Sequence, residues 1–175
     1  TTPEALLDMV ANVSRRTSVP LVFLSYWNPI LQYGSNRLAL RRTGPEAANL
    51  TPFVRDARSC GVCGVIVPDL PPEEAQGFRH AADGVGLATV FLAAPTSPPQ
   101  RLRQIAQVSE GFIYYVSVTG TTGVRERLPR EWLHGVRQLK LITTKPVCVG
   151  FGISTPSQAA AIAQLADGVI VGSAL

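Results

Sequence analysis

The sequence contains few of the residues from which metal and redox sites are built. It has two histidines and three cysteines among 175 residues. Cys60 and Cys63 have CxxC spacing, but no second pair and no nearby histidine accompany them in the sequence, so a zinc site is not expected. We predict that both are small buried side chains where a helix ends and a strand begins. The odd number of cysteines is typical of a reducing compartment.

Long apolar runs and basic stripes are also missing from the sequence. No apolar run reaches the ~20 residues that cross a bilayer. The net charge of +4 and the pI of about 9.3 are mild. The arginine cluster Arg37, Arg41 and Arg42 is not interleaved with aromatic side chains, as a nucleic-acid surface would be. We therefore expect neither a membrane nor a nucleic acid as a partner.

Lysine is scarce, which limits the chemistry available. Lys140 and Lys145 are the only lysines, and they are predicted at a helix end and at the N-terminal base of a strand. Schiff-base catalysis needs a lysine at the opposite strand end. His80 and His134 are predicted on helix surfaces, which leaves general acid–base chemistry. Asp69 is the one carboxylate at the C-terminal end of a predicted strand, where it either catalyses or caps a loop.

The sequence does contain apolar segments that alternate with segments of helical spacing. This alternation predicts an α/β fold with a parallel sheet. The first strand carries no GxGxxG, which argues against a dinucleotide-binding fold. The predicted strands are 20–26, 64–67, 88–93, 111–117, 147–149 and 168–171. The predicted helices begin at Thr1 or Thr2 and at Pro72, and cover 53–59, 98–108, 129–141 and 156–165.

The number of strands predicts an incomplete barrel. A closed β/α barrel has eight strands and typically ~250 residues. Here the sequence opens on a helix and stops on a strand, although an apolar parallel strand needs cover on both faces. We predict a (β/α)8 TIM barrel present in part over residues 1–175, with N-terminal strands and a C-terminal helix missing. Residues 35–52 are an irregular stretch, predicted to be an insertion that forms either a lid or partner surface or a poorly ordered segment.

One glycine-rich stretch predicts an anion site. A β-branched strand runs into Gly150-Phe151-Gly152, and Ser154 or Thr155 then caps a helix with Pro156 in its first position. Glycine permits a close backbone approach and positive φ, and a helix N-terminus attracts negative charge. Gly172-Ser173 ends the next strand. This pattern matches the phosphate site that barrels build after their last two strands.

Two further features near strand ends have alternative interpretations. The segment from Thr119 to Arg125 contains Gly120 and Gly123 as candidate hinges, so it is either a loop that closes over a site or a plain flexible turn. Tyr26 and Tyr114 fall near strand ends, where they belong either to the core or to a ligand site.

Four segments follow one another along the sequence: Pro68–Glu74, Tyr115–Gly123, Val149–Ser154 and Ala166–Ala174. In this order they closely resemble the tryptophan synthase α subunit family, and are similar to the plant-type indole-3-glycerol phosphate lyases. The resemblance covers nearly the whole chain apart from about 35–52. It implies a β/α barrel and a lyase of tryptophan biosynthesis that cleaves indole-3-glycerol phosphate into indole and glyceraldehyde 3-phosphate by retro-aldol chemistry.

The resemblance also implies roles for individual residues. The family's glutamate and aspartate, which act as acid and base, lie in a segment expected before residue 1, so no catalytic pair is expected in this chain. Thr122 matches a loop threonine that helps position the catalytic aspartate. Phosphate-binding positions match Gly123, Phe151, Gly152, Gly172 and Ser173. Indole-pocket positions match Leu24, Tyr26, Pro68, Tyr114 and Val116.

The same resemblance implies a partner and excludes a cofactor. Family members pair with a β subunit in an α2β2 complex, and Asn28 and Asp69 match positions at or near that interface. The α subunit binds no cofactor, because the pyridoxal phosphate belongs to the β subunit. A cytoplasmic location is expected, or a plastid in a photosynthetic eukaryote. Two alternatives remain: a remnant without the acid–base pair that binds phosphate or the β subunit, and another phosphosugar-binding barrel enzyme.

Overall fold

Helices and strands alternate in the computed structural model, which describes residues 2–38, 50–116, 130–150, 152–172 and 174–175. The chain divides into two compact units, Thr1–Val90 and Phe91–Leu175. In the first unit lie α1 (Pro3–Ser14), β1 (Leu21–Leu24), α2 (Trp27–Leu38), α3 (Thr51–Ser59), β2 (Val62–Ile66), α4 (Gln76–Asp83) and β3 (Ala88–Val90). In the second lie β4 (Leu92–Ala93), α5 (Pro99–Val108), β5 (Ile113–Val116), α6 (Arg130–Ile142), β6 (Val147–Gly150), α7 (Pro156–Ala163) and β7 (Gly168–Ile170).

The first unit is built on a three-stranded parallel sheet in the order β1-β2-β3. Its aromatic core centres on Phe53 of α3, whose ring centroid lies 6.3 Å from that of Phe23 and 6.0 Å from that of Tyr33. The buried hydroxyl of Tyr33 donates to Asp56 at 2.5 Å, which links α2 to α3. The core therefore includes a polar group whose hydrogen bond is satisfied.

A β-bulge interrupts the pairing of β1 with β2. Leu21 pairs with Val62 and Val22 with Gly64, so the register skips Cys63. Its thiol donates to the carbonyl of Leu21 at 3.1 Å. Cys63 and Cys60 lie at the predicted helix-to-strand boundary, but both are only half-buried. The prediction of two buried cysteines is wrong: Cys60 lies at the C-terminal cap of α3, and Cys63 lies at the bulge, outside the regular pairing of the strand.

The second unit is built on a four-stranded parallel sheet in the order β4-β5-β6-β7. Isoleucine and valine fill its centre, and Ile113 and Val147, which pair across β5 and β6, are fully buried. The predicted strand 88–93 is two short strands here. At Phe91, between them, the amide donates to the hydroxyl of Ser109 at 3.3 Å, and this side-chain contact replaces a ladder hydrogen bond.

Two predicted elements differ from those observed. Helix α2 begins at Trp27 and reaches Leu38, and α3 begins at Thr51, so the ends of the stretch 35–52 are helical and only 39–49 lies outside the described residues. The helix predicted from Pro72 begins at Gln76. The preceding residues form a turn in which Glu74 and Ala75 donate to carbonyls three residues back, so its acidic residues are outside the helix.

The remaining described helices agree with the sequence pattern. Thr2, and not Thr1, caps α1, where its hydroxyl accepts from the amide of Ala5 at 3.3 Å. Thr155 caps α7, with Pro156 in the first helical position as predicted. Among the described residues, no helix has both the length and the apolar content needed to span a membrane.

Candidate functional site

In the second unit, glycines lie at the C-terminal ends of two neighbouring strands. Gly150 of β6 pairs with Ile170 of β7, so the two strands end side by side. Gly152 has a φ of +70°, a conformation that side chains other than glycine rarely adopt. Among the described residues, no atom lies within 4 Å of a Cβ added at Gly152 or Gly172. A ligand can therefore approach the backbone at both positions, as an anion site requires.

Gly150 has a different role from Gly152, although both belong to one predicted motif. A Cβ atom at Gly150 would lie 2.6 Å from the hydroxyl of Tyr114 and 2.9 Å from Cβ of Ile170. Gly150 is thus needed for packing, because the Tyr114 ring crosses β6 at this point. Tyr114 is buried and its pKa is raised by that burial, so the core interpretation holds for this tyrosine.

The start of α7 is more fully capped than the sequence indicates. Gln158 Oε1 accepts from the amides of Ser154 at 2.9 Å and Thr155 at 3.2 Å, while the amide of Gln158 donates to Thr155 Oγ1 at 3.3 Å. This is a capping box. The helix dipole still points toward the strand ends, but these amides are already used. An anion would therefore rely mainly on the glycine backbone.

In the first unit, apolar side chains are exposed at the C-terminal end of β1. Leu24 is 57% exposed and Tyr26 is 64% exposed, so the core interpretation of Tyr26 is wrong. Leu24 pairs with Ile66 of β2, and the exposed Pro68 follows that strand. The unit thus brings three of the predicted indole-contacting residues to neighbouring strand ends, where they are accessible.

Asp69 has a structural partner at the same edge of the first unit. Its Oδ1 accepts from the backbone amide of Trp27 at 2.9 Å, at the first residue of α2. The carboxylate therefore caps a helix that begins 42 residues earlier in the chain, and not its own loop. Asn28, in the first turn of that helix, is exposed.

Of the remaining predicted site residues, the structure describes only Val116. Val116 ends β5, is half-buried and pairs with Gly150, so it lies beside the strand that leads to Gly152. Thr122, Gly123, Phe151 and Ser173 lie outside the described residues. A cavity of about 350 Å³ opens elsewhere in the second unit, between the end of β4, α5 and α6, and its lining residues include none of those predicted for the site.

Sequence reasoning missed a polar cluster at the N-terminal edge of the second sheet. Lys145 Nζ donates to the carbonyls of Ala106, Gln107 and Ser109 at 2.7, 3.1 and 2.6 Å, which satisfies the C-terminal end of α5. No local signal could reveal this, because the acceptors lie more than 35 residues away. Both lysines lie away from the ligand edge, as predicted.

Asp167 is the acidic residue at the same N-terminal edge of the second sheet. It accepts from Lys140 Nζ at 2.6 Å and from the amide of Val147 at 3.0 Å. The hydrogen bond from Lys140, followed by that from Val147, lowers the pKa of Asp167. The pKa of the nearby Cys148 thiol is raised by burial and by the charge of Asp167, so the thiol stays protonated and is not an activated nucleophile.

Metal ligands are not assembled in the described part of the chain. No group of three or more His, Cys, Asp or Glu residues is placed there to hold an ion. His80 and His134 are exposed on α4 and α6, as predicted. The described candidate residues are therefore backbone glycines in the second unit and, separately, exposed apolar side chains in the first.

A protein-family model matches the whole chain. The family model described as "Tryptophan synthase alpha chain" matches residues 1–175. A relative of that name from Geotalea daltonii is 46% identical over 175 residues, covering 100% of this chain and 61% of the relative. One from Gloeobacter violaceus is 45% identical, covering 99% and 58%. The chain thus spans about three fifths of the length of the curated relatives it matches.

Solved structures give the same result. The tryptophan synthase α2β2 complex of Pyrococcus furiosus contains a chain that matches with a TM-score of 0.81 and 37% identity, over 97% of this chain and 62% of that one. The tryptophan synthase alpha chain of Legionella pneumophila matches with a TM-score of 0.80 and 34% identity, over 99% and 58%. These similarities confirm the predicted β/α-barrel fold, represented here in part.

Proposed function

The chain belongs to the tryptophan synthase alpha chain family, and we propose that it provides the substrate-binding part of a lyase of tryptophan biosynthesis. The proposed reaction is retro-aldol cleavage of indole-3-glycerol phosphate to indole and glyceraldehyde 3-phosphate. The observation that carries the proposal is the pair of open glycines, Gly152 and Gly172, at neighbouring ends of β6 and β7. A phosphate is the charged group of this substrate, and glycine amides at strand ends suit it.

The phosphate is proposed to bind at the glycines of the second unit. Gly152 and Gly172 would approach it through the backbone, with Gly123, Phe151 and Ser173 as further contacts implied by the resemblance. The dipole of α7 adds a favourable field at this edge, although its first amides are used in the capping box. Positive φ at Gly152 turns the chain where a side chain would otherwise stand between phosphate and backbone.

The indole ring is proposed to contact apolar side chains of the first unit. These are Leu24, Tyr26 and Pro68, all exposed at the ends of β1 and β2. Of the two positions that the resemblance matches in the second unit, Tyr114 is buried and Val116 is half-buried at the end of β5. Sites that bind an aromatic ligand are lined mainly by apolar and aromatic side chains, and these exposed side chains are of that kind.

Proton transfer is not assigned to the described residues. Retro-aldol cleavage needs a general acid and a general base. Asp69, the carboxylate at a strand end, has its Oδ1 committed to capping α2. The chain is therefore proposed to bind and orient the substrate, with Thr122 supporting an acid–base pair carried by the part of the family fold that lies outside this chain.

A β subunit is the proposed protein partner. The match to a chain of an α2β2 complex supports it, and Asn28 and Asp69 lie exposed at the edge of the first unit where the resemblance expects the partner. No cofactor is assigned to this chain.

The test is indole release combined with a phosphate-site variant. The protein that carries this chain is given indole-3-glycerol phosphate, and indole and glyceraldehyde 3-phosphate are measured as products in equal amounts. Glycerol 3-phosphate then probes the anion site by competition. Gly152→Asp should abolish binding of glycerol 3-phosphate, because it adds a carboxylate where the phosphate would lie and fills the approach to the backbone.

Gly86→Asp is the matched control. Gly86 also has a positive φ, +68°, and among the described residues a Cβ there would meet only Arg58 Nε, at 4.0 Å, so the substitution imposes similar strain away from the C-terminal ends of β6 and β7. It should leave affinity for glycerol 3-phosphate unchanged. Unaltered affinity in a folded Gly152→Asp protein would show the phosphate assignment to be wrong. Phosphate binding without indole release would favour a non-catalytic remnant.

A further inference from the structure

The backbone on both sides of Tyr26 is held by hydrogen bonds. The amide of Ser25 donates to the carbonyl of Ile66 at 3.1 Å, and the hydroxyl of Ser25 donates to the carbonyl of Tyr26 at 3.1 Å. The amide of Trp27 donates to Asp69 at 2.9 Å. Tyr26 thus projects an exposed ring from a backbone anchored at consecutive residues.

The indole ring of Trp27 supplies a further anchor. It contacts Phe78 of α4 edge to face, with centroids 5.5 Å apart and planes 79° apart. Phe78 is buried, so it is a fixed surface. Asp69 and Phe78 together hold Trp27 through its amide and its side chain, and Trp27 lies between Tyr26 and Asn28 in the sequence.

Asp69, which accepts the hydrogen bond from the amide of Trp27, lies on a tight turn. The amide of Leu70 donates to the carbonyl of Val67 at 3.2 Å, which closes a four-residue turn with Pro68 in its second position. Both end residues are buried. Asp69 is therefore presented by a turn whose ends are packed into the core, and its carboxylate has little freedom to move away from Trp27.

We propose that Asp69 is a positioning residue: it holds the segment Tyr26–Asn28 in the geometry in which Tyr26 meets the indole ring and Asn28 meets the β subunit. The proposal rests on the proposed function and adds a role that the resemblance does not give. In this role Asp69 acts through an acceptor oxygen and not through its charge. Asparagine, which caps helices as well as aspartate does, should therefore replace it.

The test compares Asp69→Ala with Asp69→Asn in the protein that carries this chain, in a Trp132→Phe background. The sequence has two tryptophans, so Trp27 is then the only one in this chain. Asp69→Ala should shift Trp27 emission to longer wavelength and increase its quenching by acrylamide. The same variant should raise KM for indole-3-glycerol phosphate roughly fivefold, the equivalent of losing one cap, with kcat within about twofold. Asp69→Asn should change none of these.

Glu74→Ala is the control, because it removes one exposed negative charge from the same connection and leaves the Asp69–Trp27 hydrogen bond in place. It should behave like the parent protein. If Asp69→Asn matches Asp69→Ala in KM, the charge is what matters and the positioning role is wrong. Unchanged Trp27 emission in Asp69→Ala would also overturn it. If no variant and no parent protein releases indole, the proposed function fails, while Trp27 emission still decides whether Asp69 positions the segment.

Discussion

The phenol of Tyr115 is a buried polar group of the second unit, and its hydroxyl finds no hydrogen-bond partner among the described residues. Tyr115 is fully buried, and burial raises its pKa to about 12, so the group stays neutral. Its hydroxyl lies against α6, where a Cβ at Gly135 would come within 2.1 Å of it. Position 135 must therefore be glycine to leave room for the Tyr115 ring. The ring fills this space, but its buried hydroxyl has no hydrogen-bond partner among the described residues.

Tyr115→Phe should leave the free energy of unfolding unchanged or raise it by up to about 1 kcal/mol, because it removes a buried donor for which the described residues offer no acceptor. Urea denaturation measures this. Tyr33→Phe is the matched control, since it removes an equally buried hydroxyl that donates to Asp56 at 2.5 Å. It should lose about 2 kcal/mol. Equal losses for the two variants would contradict this interpretation of Tyr115.

For a single residue, the sequence predicts what the side chain or backbone can do chemically better than it predicts which other residues surround it in the fold. Gly152 was predicted for its backbone freedom, and its positive φ agrees. Gly150, in the same motif, is instead fixed by the ring of Tyr114. Tyr26 and Tyr114 look alike in sequence, but one is exposed and the other buried. Such differences depend on which side chain crosses which strand, and neighbouring strands are distant in sequence.

Among the helices, the ones with caps of their own were predictable. Thr2 and Thr155 cap α1 and α7 from the position just before each helix, so the sequence predicts where both helices begin. Helix α2 was missed because Asp69, 42 residues away, caps it. The buried pair Ile30 and Tyr33, three residues apart, was the available signal. A helix whose cap is tertiary leaves no start signal in its own sequence.

The C-terminal end of α5 likewise depends on a distant residue, Lys145. Lys145→Met should destabilise the protein by about 1–2 kcal/mol, because three carbonyls of the last turn lose a charged donor. Thermal unfolding at neutral pH measures the loss. Lys140→Met is the control, since Lys140 forms a half-exposed pair with Asp167 and should cost no more than about 0.5 kcal/mol. A smaller effect at Lys145 than at Lys140 would contradict the capping role.

On the scale of the molecule, acid stability should depend on Asp167. Its pKa is lowered in the folded protein by Lys140 and by the amide of Val147. Because the folded pKa lies below the unfolded one, the stabilisation is complete above about pH 4 and is lost as the pH falls through the folded value. The whole chain also gains positive charge in acid from a starting net charge of +4.

Asp167→Asn should therefore lower Tm at pH 7 and pH 5, with the difference from the parent protein shrinking below about pH 4. Thermal melts across this range provide the test. Asp83→Asn, at the end of α4 in the other unit, is a control that should show no comparable change. A Tm difference that grew as the pH fell would contradict the lowered pKa.

The two edges of the second sheet differ in a way that matters for protein engineering. The N-terminal edge is held by hydrogen bonds of Lys145 and Asp167 to backbone carbonyls and an amide, whereas at the C-terminal edge no described atom lies within 4 Å of a Cβ added at Gly152 or Gly172. Random libraries confined to the C-terminal edge, with Gly150 and Gly152 kept, should yield a high fraction of folded clones with new ligand preferences. Libraries of equal size at the N-terminal edge should yield mostly unfolded clones. Selection for a new substrate should therefore begin with residues at the C-terminal edge.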